Sequence, residues 1–145
     1  MITKEDCFHL GVKAILRSPD HKILLLERRR SFVESDWDLP GGRLECGESL
    51  IQTLRRELSE EIGLKQEIDA KPFCTCLTNI RVQTEGGDVG LVYSIYLCDL
   101  PDHFEPTLSE EHTGYSWLPL SEAIKCFESA SPSELINSLK LLAKA

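Results

Sequence analysis

The hydrophobic positions of the chain fall into short apolar runs separated by turn-forming residues. Runs of this kind are typical of β-strands, and they cover residues 8–16, 22–27, 74–83, 90–100 and 115–118. Ser-Pro-Asp-His at 18–21 separates the first two runs, and Thr-Glu-Gly-Gly-Asp at 84–88 separates the next pair. Both sequences favour tight turns, so we expect two antiparallel hairpins.

Three other stretches have the spacing of amphipathic helices. In residues 49–62 the apolar positions that recur on one face are Leu50, Ile51, Leu54, Leu58 and Ile62. Gly63 follows them, and we expect it to end the helix in the left-handed conformation. A second helix is predicted over 121–127, capped by Ser121. A third, C-terminal helix is outlined by Ser133, Leu135, Leu139 and Leu142.

The order of these elements predicts an α+β fold. Strands on both sides of the first helix, followed by two terminal helices, suggest a central mixed β-sheet flanked by helices on both faces, an α/β/α sandwich. The 145 residues contain 41% hydrophobic and 28% charged residues, which is typical of one globular domain. Because no repeat or linker divides the chain, we expect a single domain over 1–145.

The charge of the chain limits its partners. A net charge of -8 argues against a nucleic-acid-binding surface, since clustered Lys and Arg hold phosphate backbones. No run approaches the ~20 apolar residues of a membrane span, and the first residues lack the pattern of a signal peptide. We therefore expect a cytoplasmic protein without nucleic-acid or membrane partners. A small anionic substrate would require a local basic patch or a bound cation.

The six cysteines predict neither a zinc site nor a disulfide framework. They contain no C-x-x-C pair and no histidine at zinc-finger spacing. Cys74, Cys76 and Cys98 lie in apolar strand-like runs, so we interpret them as small buried hydrophobic residues in a reducing compartment.

Three carboxylates cluster on the first predicted helix. Glu57, Glu60 and Glu61 stand at i, i+3 and i+4 and share an arc of roughly 100° at the border of the apolar face. Like charges this close destabilise a helix unless a cation neutralises them. Carboxylate oxygens suit Mg²⁺, Mn²⁺ or Ca²⁺. The alternative is a solvated helix face on which the glutamates pair with Arg or Lys.

These carboxylates belong to a longer pattern, G-x5-E-x7-R-E-L-x-E-E-I-G-L, which runs from Gly42 to Leu64. Every defined position matches the signature of the Nudix hydrolase family, G-x5-E-x7-R-E-U-x-E-E-x-G-U, where U is a bulky aliphatic residue. The preceding Trp-Asp-Leu-Pro-Gly-Gly at 37–42 and the Tyr-Ser-Trp-Leu-Pro-Leu at 115–120 also look like segments of that family. The chain thus resembles a Nudix hydrolase, and this context favours the metal site over the solvated face.

The resemblance implies a Nudix fold and a hydrolase that depends on Mg²⁺ or Mn²⁺. The metal ligands that it implies are Gly42, through its carbonyl, with Glu57, Glu60 and Glu61. Glu57 is our choice for the general base. The signature from Gly42 to Leu64 is called the Nudix box. Outside the box, Glu110 or Glu111 can complete the metal site or activate water, although both can equally be solvent-exposed loop acids.

Arg56 is grouped with the catalytic glutamates because it adjoins them. We interpret it as an orienting residue that pairs with Glu48 and fixes the loop to the helix. Gly41 and Gly42 follow Pro40 and would let the backbone pass close to a metal or phosphate.

The candidate substrate contacts are weaker predictions. Arg28, Arg30 and Arg43, with the intervening Arg29, give a local excess of positive charge that can meet phosphates, although a solvated strand end explains it equally well. Three aromatic residues can stack on a base but are more often core residues; they are Phe32, Trp37 and Tyr93.

The predicted reaction is hydrolysis of a phosphoanhydride bond in a nucleotide-like diphosphate, a nucleoside diphosphate linked to another moiety X. A nucleoside triphosphate or modified nucleotide is the first choice. The Pro or Tyr that some Nudix subfamilies carry past the box is absent at 79–82, which argues against ADP-ribose and dinucleoside polyphosphates without excluding either. The physiological substrate, the number of metal ions and the choice between monomer and homodimer stay open.

Three alternatives remain at this point. The first is a nucleotide-sugar or dinucleoside polyphosphate hydrolase. The second is a non-catalytic Nudix-fold ligand sensor, which the full set of box carboxylates disfavours. The third is an isomerase of an isoprenyl diphosphate, for which Cys46 is the nearest candidate for the reactive cysteine although its position does not match that family's pattern.

Overall fold

The computed structural model describes residues 5–28, 37–128 and 131–145. Its strands are β1 Phe8–Arg17, β2 Lys22–Arg28, β3 Trp37–Asp38, β4 Gly41–Arg43, β5 Ala70–Thr84, β6 Gly87–Asp99 and β7 His112–Pro119. Its helices are α1 Leu50–Ile62, α2 Leu120–Phe127 and α3 Ser133–Lys144. The predicted order of strands and helices is confirmed, as are the hairpins β1–β2 and β5–β6.

The strands form a mixed sheet in the order β3-β2-β1-β6-β5, with β7 paired to β2 and β4 paired to β1. β1 runs parallel to β6 along its whole length. In the described residues it pairs with β2 near their turn, at Arg17 and Ile23, while β4 pairs with the middle of β1, from Gly11 to Lys13. This insertion of β4 brings the backbone of Gly41 and Gly42 between β1 and α1.

Helices cover both faces of the sheet, as predicted. On one face, even-numbered side chains of β1 such as Val12 and Ala14 pack with Leu54 and Leu58 of α1. On the other face, Ile15 packs with residues of α2 and α3. Side chains that alternate between the two faces of β1 thus contribute to two core layers. Burial of each Leu or Ile side chain stabilises the fold by about 1.5–3 kcal/mol.

The limits of α1 follow from its capping residues. Ser49 accepts a hydrogen bond from the backbone N–H of Gln52, whose side chain accepts the N–H of Ser49 in return, which makes a complete capping box. Gly63 ends the helix at φ 74°, in the left-handed conformation that was predicted for it. Both ends of the helix that carries the glutamates are therefore determined locally.

Two local features differ from the predictions. Ser121 does not cap α2: the helix already begins at Leu120, after Pro119, and no side chain caps it. Proline tolerates this place because it needs no N–H partner and its φ suits a helix start. No strand was predicted at 37–42, but this segment contains β3 and β4, since its backbone pairs with β2 and β1.

Of the cysteines interpreted as buried, Cys76 and Cys98 are buried and Cys74 is half-buried. Within the described ranges, no helix has the length and apolar character needed to cross a membrane.

Candidate functional site

The three glutamates of α1 have different environments, although the helical spacing predicted a shared face. Glu61 is only 4% exposed. The side chain of Glu57 is 18% exposed and that of Glu60 is 63% exposed. The three residues therefore differ in depth: Glu61 lies in the protein interior, Glu57 at the border and Glu60 at the surface.

Gly41 and Gly42 lie against these glutamates. The backbone N–H of Gly41 donates to Oε1 of Glu61 over 2.9 Å. A Cβ added to Gly42 would lie within 3.0 Å of the Glu57 carboxylate, and one added to Gly41 would collide with the Val12 carbonyl. The packing of β4 against β1 thus requires glycine at position 41, and the observed position of the Glu57 carboxylate requires glycine at position 42.

Substitution of Gly42 by alanine is expected to displace the Glu57 carboxylate, because the new methyl group would occupy its position. The side chain can move, so we expect little loss of stability, but a carboxylate misplaced by about 1 Å lowers turnover roughly 100-fold. Steady-state kinetics and thermal unfolding measure the two effects. The matched control is Gly86→Ala, which adds a methyl group into open space. Equal turnover by both variants would contradict the expectation.

Arg56 links the box loop to the glutamates. Its Nε donates to Oε2 of Glu48 over 2.7 Å, and its Nη2 donates to Oε1 of Glu48 over 3.0 Å. Its Nη1 donates to Oε1 of Glu57 over 2.9 Å and lies 3.3 Å from Oε2 of Glu60. This arrangement contains the predicted Arg56–Glu48 pair, and the arginine lowers the pKa of Glu48 to about 2. Arg56 therefore orients carboxylates.

The environment of Glu61 suits a bound cation. Burial raises the pKa of this carboxyl to about 7, even though the charge of Lys13 and the Gly41 N–H act in the opposite direction. A buried carboxylate gains strongly from a cation that replaces its lost hydration. The donor groups present, carboxylate oxygens beside glycine carbonyls, fit Mg²⁺ or Mn²⁺.

The segment before β7 is attached to the end of α1. The backbone N–H of Thr107 donates to the carbonyl of Ile62 over 2.9 Å, and that of Ser109 donates to the carbonyl of Glu61 over 3.0 Å. These bonds direct the following residues toward the buried glutamate. The sequence left two candidates for an outside carboxylate, and this attachment brings Glu111 to the site.

One ligand atom each of Glu61, Glu111 and His112 lies within 4.8 Å of the others. Glu110, the other candidate, is exposed and is outside this group. His112 was not given a role in the sequence analysis. The one sequence feature that pointed to His112 was its position directly after the two acidic candidates, Glu110 and Glu111.

Lys13 and Asp38 form a buried pair that the sequence analysis also missed. Nζ of Lys13 lies 3.3 Å from Oδ2 of Asp38 and donates to the Leu39 carbonyl over 3.2 Å. Arg28 also pairs with Asp38, over 3.1 Å. Burial alone would raise the pKa of Asp38, but Lys13, His112 and Arg28 together hold it well below its usual range. The detectable signal was a lysine inside an apolar strand.

A cleft of about 540 Å³ opens beside this group. The residues that line it are His9, Gly11, Lys13, Gly41, Gly42, Arg43, Leu44, Glu45, Glu57, Val82, Leu91, Tyr93 and Glu111. Tyr93 thus contributes its ring to the cleft, with Nζ of Lys13 5.5 Å from the ring centroid. Trp37, the other described aromatic candidate, packs against the core layer of α2 and α3.

The predicted substrate arginines are divided by the structure. Arg43 lines the cleft. Arg28 lines an adjoining cavity of about 240 Å³ and is engaged with Asp38. Arg30, like Arg29 and Phe32, lies outside the described residues.

Two curated proteins are similar to this chain in sequence. Nucleoside triphosphatase NudI of Enterobacter sp. (strain 638) is 36% identical over 93 residues, which cover 61% of this chain and 65% of that protein. The 8-oxo-dGDP phosphatase NUDT18 of Homo sapiens is 38% identical over 66 residues, which cover 46% of this chain and 20% of that protein. The chain therefore spans less than two thirds of both curated relatives.

The fold is also that of a solved enzyme. The E. coli dihydroneopterin triphosphate pyrophosphohydrolase matches 96% of this chain and 99% of its own with a TM-score of 0.74 at 18% identity, a likeness of fold alone. The family model of the NUDIX domain matches residues 8–137. Since that match covers most of the chain and includes the complete box, the chain belongs to the NUDIX family.

Proposed function

We propose that this chain is a pyrophosphohydrolase that depends on a divalent cation and cleaves a nucleoside diphosphate linked to a moiety X. A nucleoside triphosphate or modified nucleotide is our first choice of substrate. The observation that carries the proposal is the convergence of Glu57 and Glu111 with the Gly41–Gly42 backbone on the wall of one cleft. Its volume of about 540 Å³ is in the range of small-molecule sites.

The residues that would hold Mg²⁺ or Mn²⁺ are Gly42, through its carbonyl, with Glu57, Glu60, Glu61 and Glu111. Such a cation would polarise the phosphoryl group and lower the pKa of a bound water. Glu60 is the most exposed of the three α1 glutamates, so among them it is best placed to engage an ion that enters from solvent.

In the proposed reaction, Glu57 accepts the proton of the attacking water. One of its oxygens is held by Arg56, which leaves the other oxygen to act as the base. The water oxygen forms a bond to phosphorus, and the bridging P–O bond breaks. A nucleoside triphosphate then yields a nucleoside monophosphate and pyrophosphate, and an X-linked diphosphate yields a monophosphate and phosphorylated X.

The character of the cleft supports a nucleotide as substrate. The Tyr93 ring, with Leu91 and Val82, offers an apolar surface to a base, whereas Arg43 and Glu57 lie on the polar side. The two curated relatives and the solved pyrophosphohydrolase are all named for nucleotide-like phosphate substrates. An isomerase is less well supported, because Cys46 is exposed and is not among the residues that line the cleft.

Chelation tests the cation requirement. A panel of nucleoside triphosphates, oxidised nucleotides, nucleotide sugars and dinucleoside polyphosphates is incubated with the protein, and the phosphate-containing products are separated by chromatography. We expect turnover of at least one triphosphate, its abolition by a chelator, and its recovery when Mg²⁺ or Mn²⁺ is added in excess. Turnover that persists in the chelator would contradict the proposed chemistry. Binding without turnover would favour the ligand sensor.

A further inference from the structure

His112 is a buried histidine, and one of its two ring nitrogens has no hydrogen-bond partner among the described residues. The residue is 6% exposed, and its Nδ1 has no partner among the described residues. Its Nε2 lies 3.7 Å from Oδ2 of Asp38. A buried imidazole nitrogen without a partner is costly, so its lone pair is available for a ligand that the protein binds.

The imidazole of His112 lies in a cavity that is lined by several carboxyl groups. His112, Glu61, Glu111 and Asp38 line the same 240 Å³ space. Two basic side chains, Lys13 and Arg28, share it and pair with Asp38. Three carboxyl groups against two basic side chains make the lining beside the histidine predominantly acidic, and a bound cation would interact favourably with these carboxyl groups.

We propose that Glu61, Glu111 and His112 form a mixed nitrogen and oxygen site for a first-row transition-metal dication such as Mn²⁺ or Co²⁺. Their ligand atoms already lie within 4.8 Å of one another. The Asp38 carboxylate lies on the Nε2 side of the ring, and Nδ1 has no partner among the described residues, so Nδ1 is the nitrogen that would coordinate the metal. A carboxylate that holds the second nitrogen of a metal-bound histidine is a common arrangement, and it sets both the tautomer and the ring orientation.

The nitrogen ligand determines which cations this site prefers. Mg²⁺ prefers oxygen ligands, whereas an imidazole ligand raises the affinity of a site for transition metals. The affinity for Co²⁺ is expected to exceed that for Mn²⁺. The Gly41 N–H occupies one oxygen of Glu61 and leaves the other for the metal. The inference rests on the proposed function, since Glu61 and Glu111 belong to both sets of ligands. It adds His112, which would make one position of the metal centre selective for a transition metal.

Nitrogen ligation is measured on the full chain without substrate. Mn²⁺ is added to the purified protein, and pulsed electron paramagnetic resonance records the magnetic coupling of the ion to ¹⁴N. Co²⁺ and Mg²⁺ affinities are measured by calorimetry. We expect ¹⁴N coupling in the unmodified protein. In His112→Asn we expect the coupling to be lost, Co²⁺ affinity to fall about tenfold or more, and Mg²⁺ affinity to change less than about twofold.

His21→Asn is the matched control, because it removes an exposed imidazole from the β1–β2 turn, at a φ of 65° that asparagine accepts. A second variant, Glu111→Gln, keeps the test valid if His112→Asn fails to fold, because Glu111 is exposed. This variant should also bind Co²⁺ more weakly. Absence of ¹⁴N coupling in the unmodified protein, or unchanged Co²⁺ affinity in the folded His112 variant, would overturn the inference.

These readouts are independent of turnover. A protein that hydrolyses triphosphates with Mg²⁺ but shows no nitrogen ligation would overturn this inference alone. Nitrogen ligation in a protein that turns over no nucleotide would support this inference while contradicting the proposed function.

Discussion

Glu57→Gln and Glu61→Gln are each expected to lower turnover by about 100- to 10,000-fold, the contribution of a positioned base or a charged ligand. Glutamine keeps the size of the side chain but removes its charge and its capacity to accept a proton. The fold should persist in both variants. Glu57 stands at the border of the cleft, and an amide oxygen at position 61 can still accept the Gly41 N–H.

Single-turnover and steady-state kinetics on the preferred substrate, with circular dichroism as the test of folding, measure this effect. Glu67→Gln is the control, because it removes one carboxylate from a side chain that is 89% exposed, beyond the end of α1. Near-normal rates in both folded variants would refute the assignment of the catalytic site.

Gly41→Ala is expected to destabilise the fold by about 3 kcal/mol or more, as steric overlap and backbone strain add. Gly41 has φ 140°, which an alanine rarely adopts, and its new Cβ would overlap the Val12 carbonyl. That carbonyl belongs to β1, which is held in the sheet by β6 and β4, so it cannot move aside.

Chemical denaturation followed by tryptophan fluorescence measures the free energy of unfolding. Gly47→Ala is the matched control: its φ is 85°, but no atom lies within 4 Å of the added methyl group. It should cost only the backbone strain, about 1–2 kcal/mol. If both variants lost the same stability, the close approach of β4 to β1 would not be what requires glycine at position 41.

The elements predicted well are those whose signals are local. Ser49, Gln52 and Gly63 determine both ends of α1 through hydrogen bonds to near neighbours, and the glycines at 86–87 mark the β5–β6 turn. Ser121 was misassigned as the cap of α2 because Pro119, two residues earlier, is also a signal for a helix start, and the helix begins after the proline. A sequence pattern does not rank such signals.

Part of the site depends on packing that the helical pattern does not contain. The spacing treats Glu57, Glu60 and Glu61 as equals, yet β4 covers the inner side of the arc and buries only Glu61. Glu111 and His112 reach that residue through two backbone bonds to the end of α1, about fifty residues earlier in the chain. Contacts between such distant segments are decided by the whole fold, so the sequence left Glu110 and Glu111 as alternatives.

Hydrolysis of the preferred nucleoside triphosphate in ¹⁸O-labelled water with Mg²⁺, followed by mass spectrometry of the products, tests the proposed attack of water on phosphorus. The proposed mechanism predicts a nucleoside monophosphate and pyrophosphate, with one ¹⁸O atom in one of the two, and formation of these products by Glu57→Gln about 100- to 10,000-fold more slowly. Stepwise release of inorganic phosphate, or products from the Glu57 variant at the rate of the unmodified protein, would contradict it.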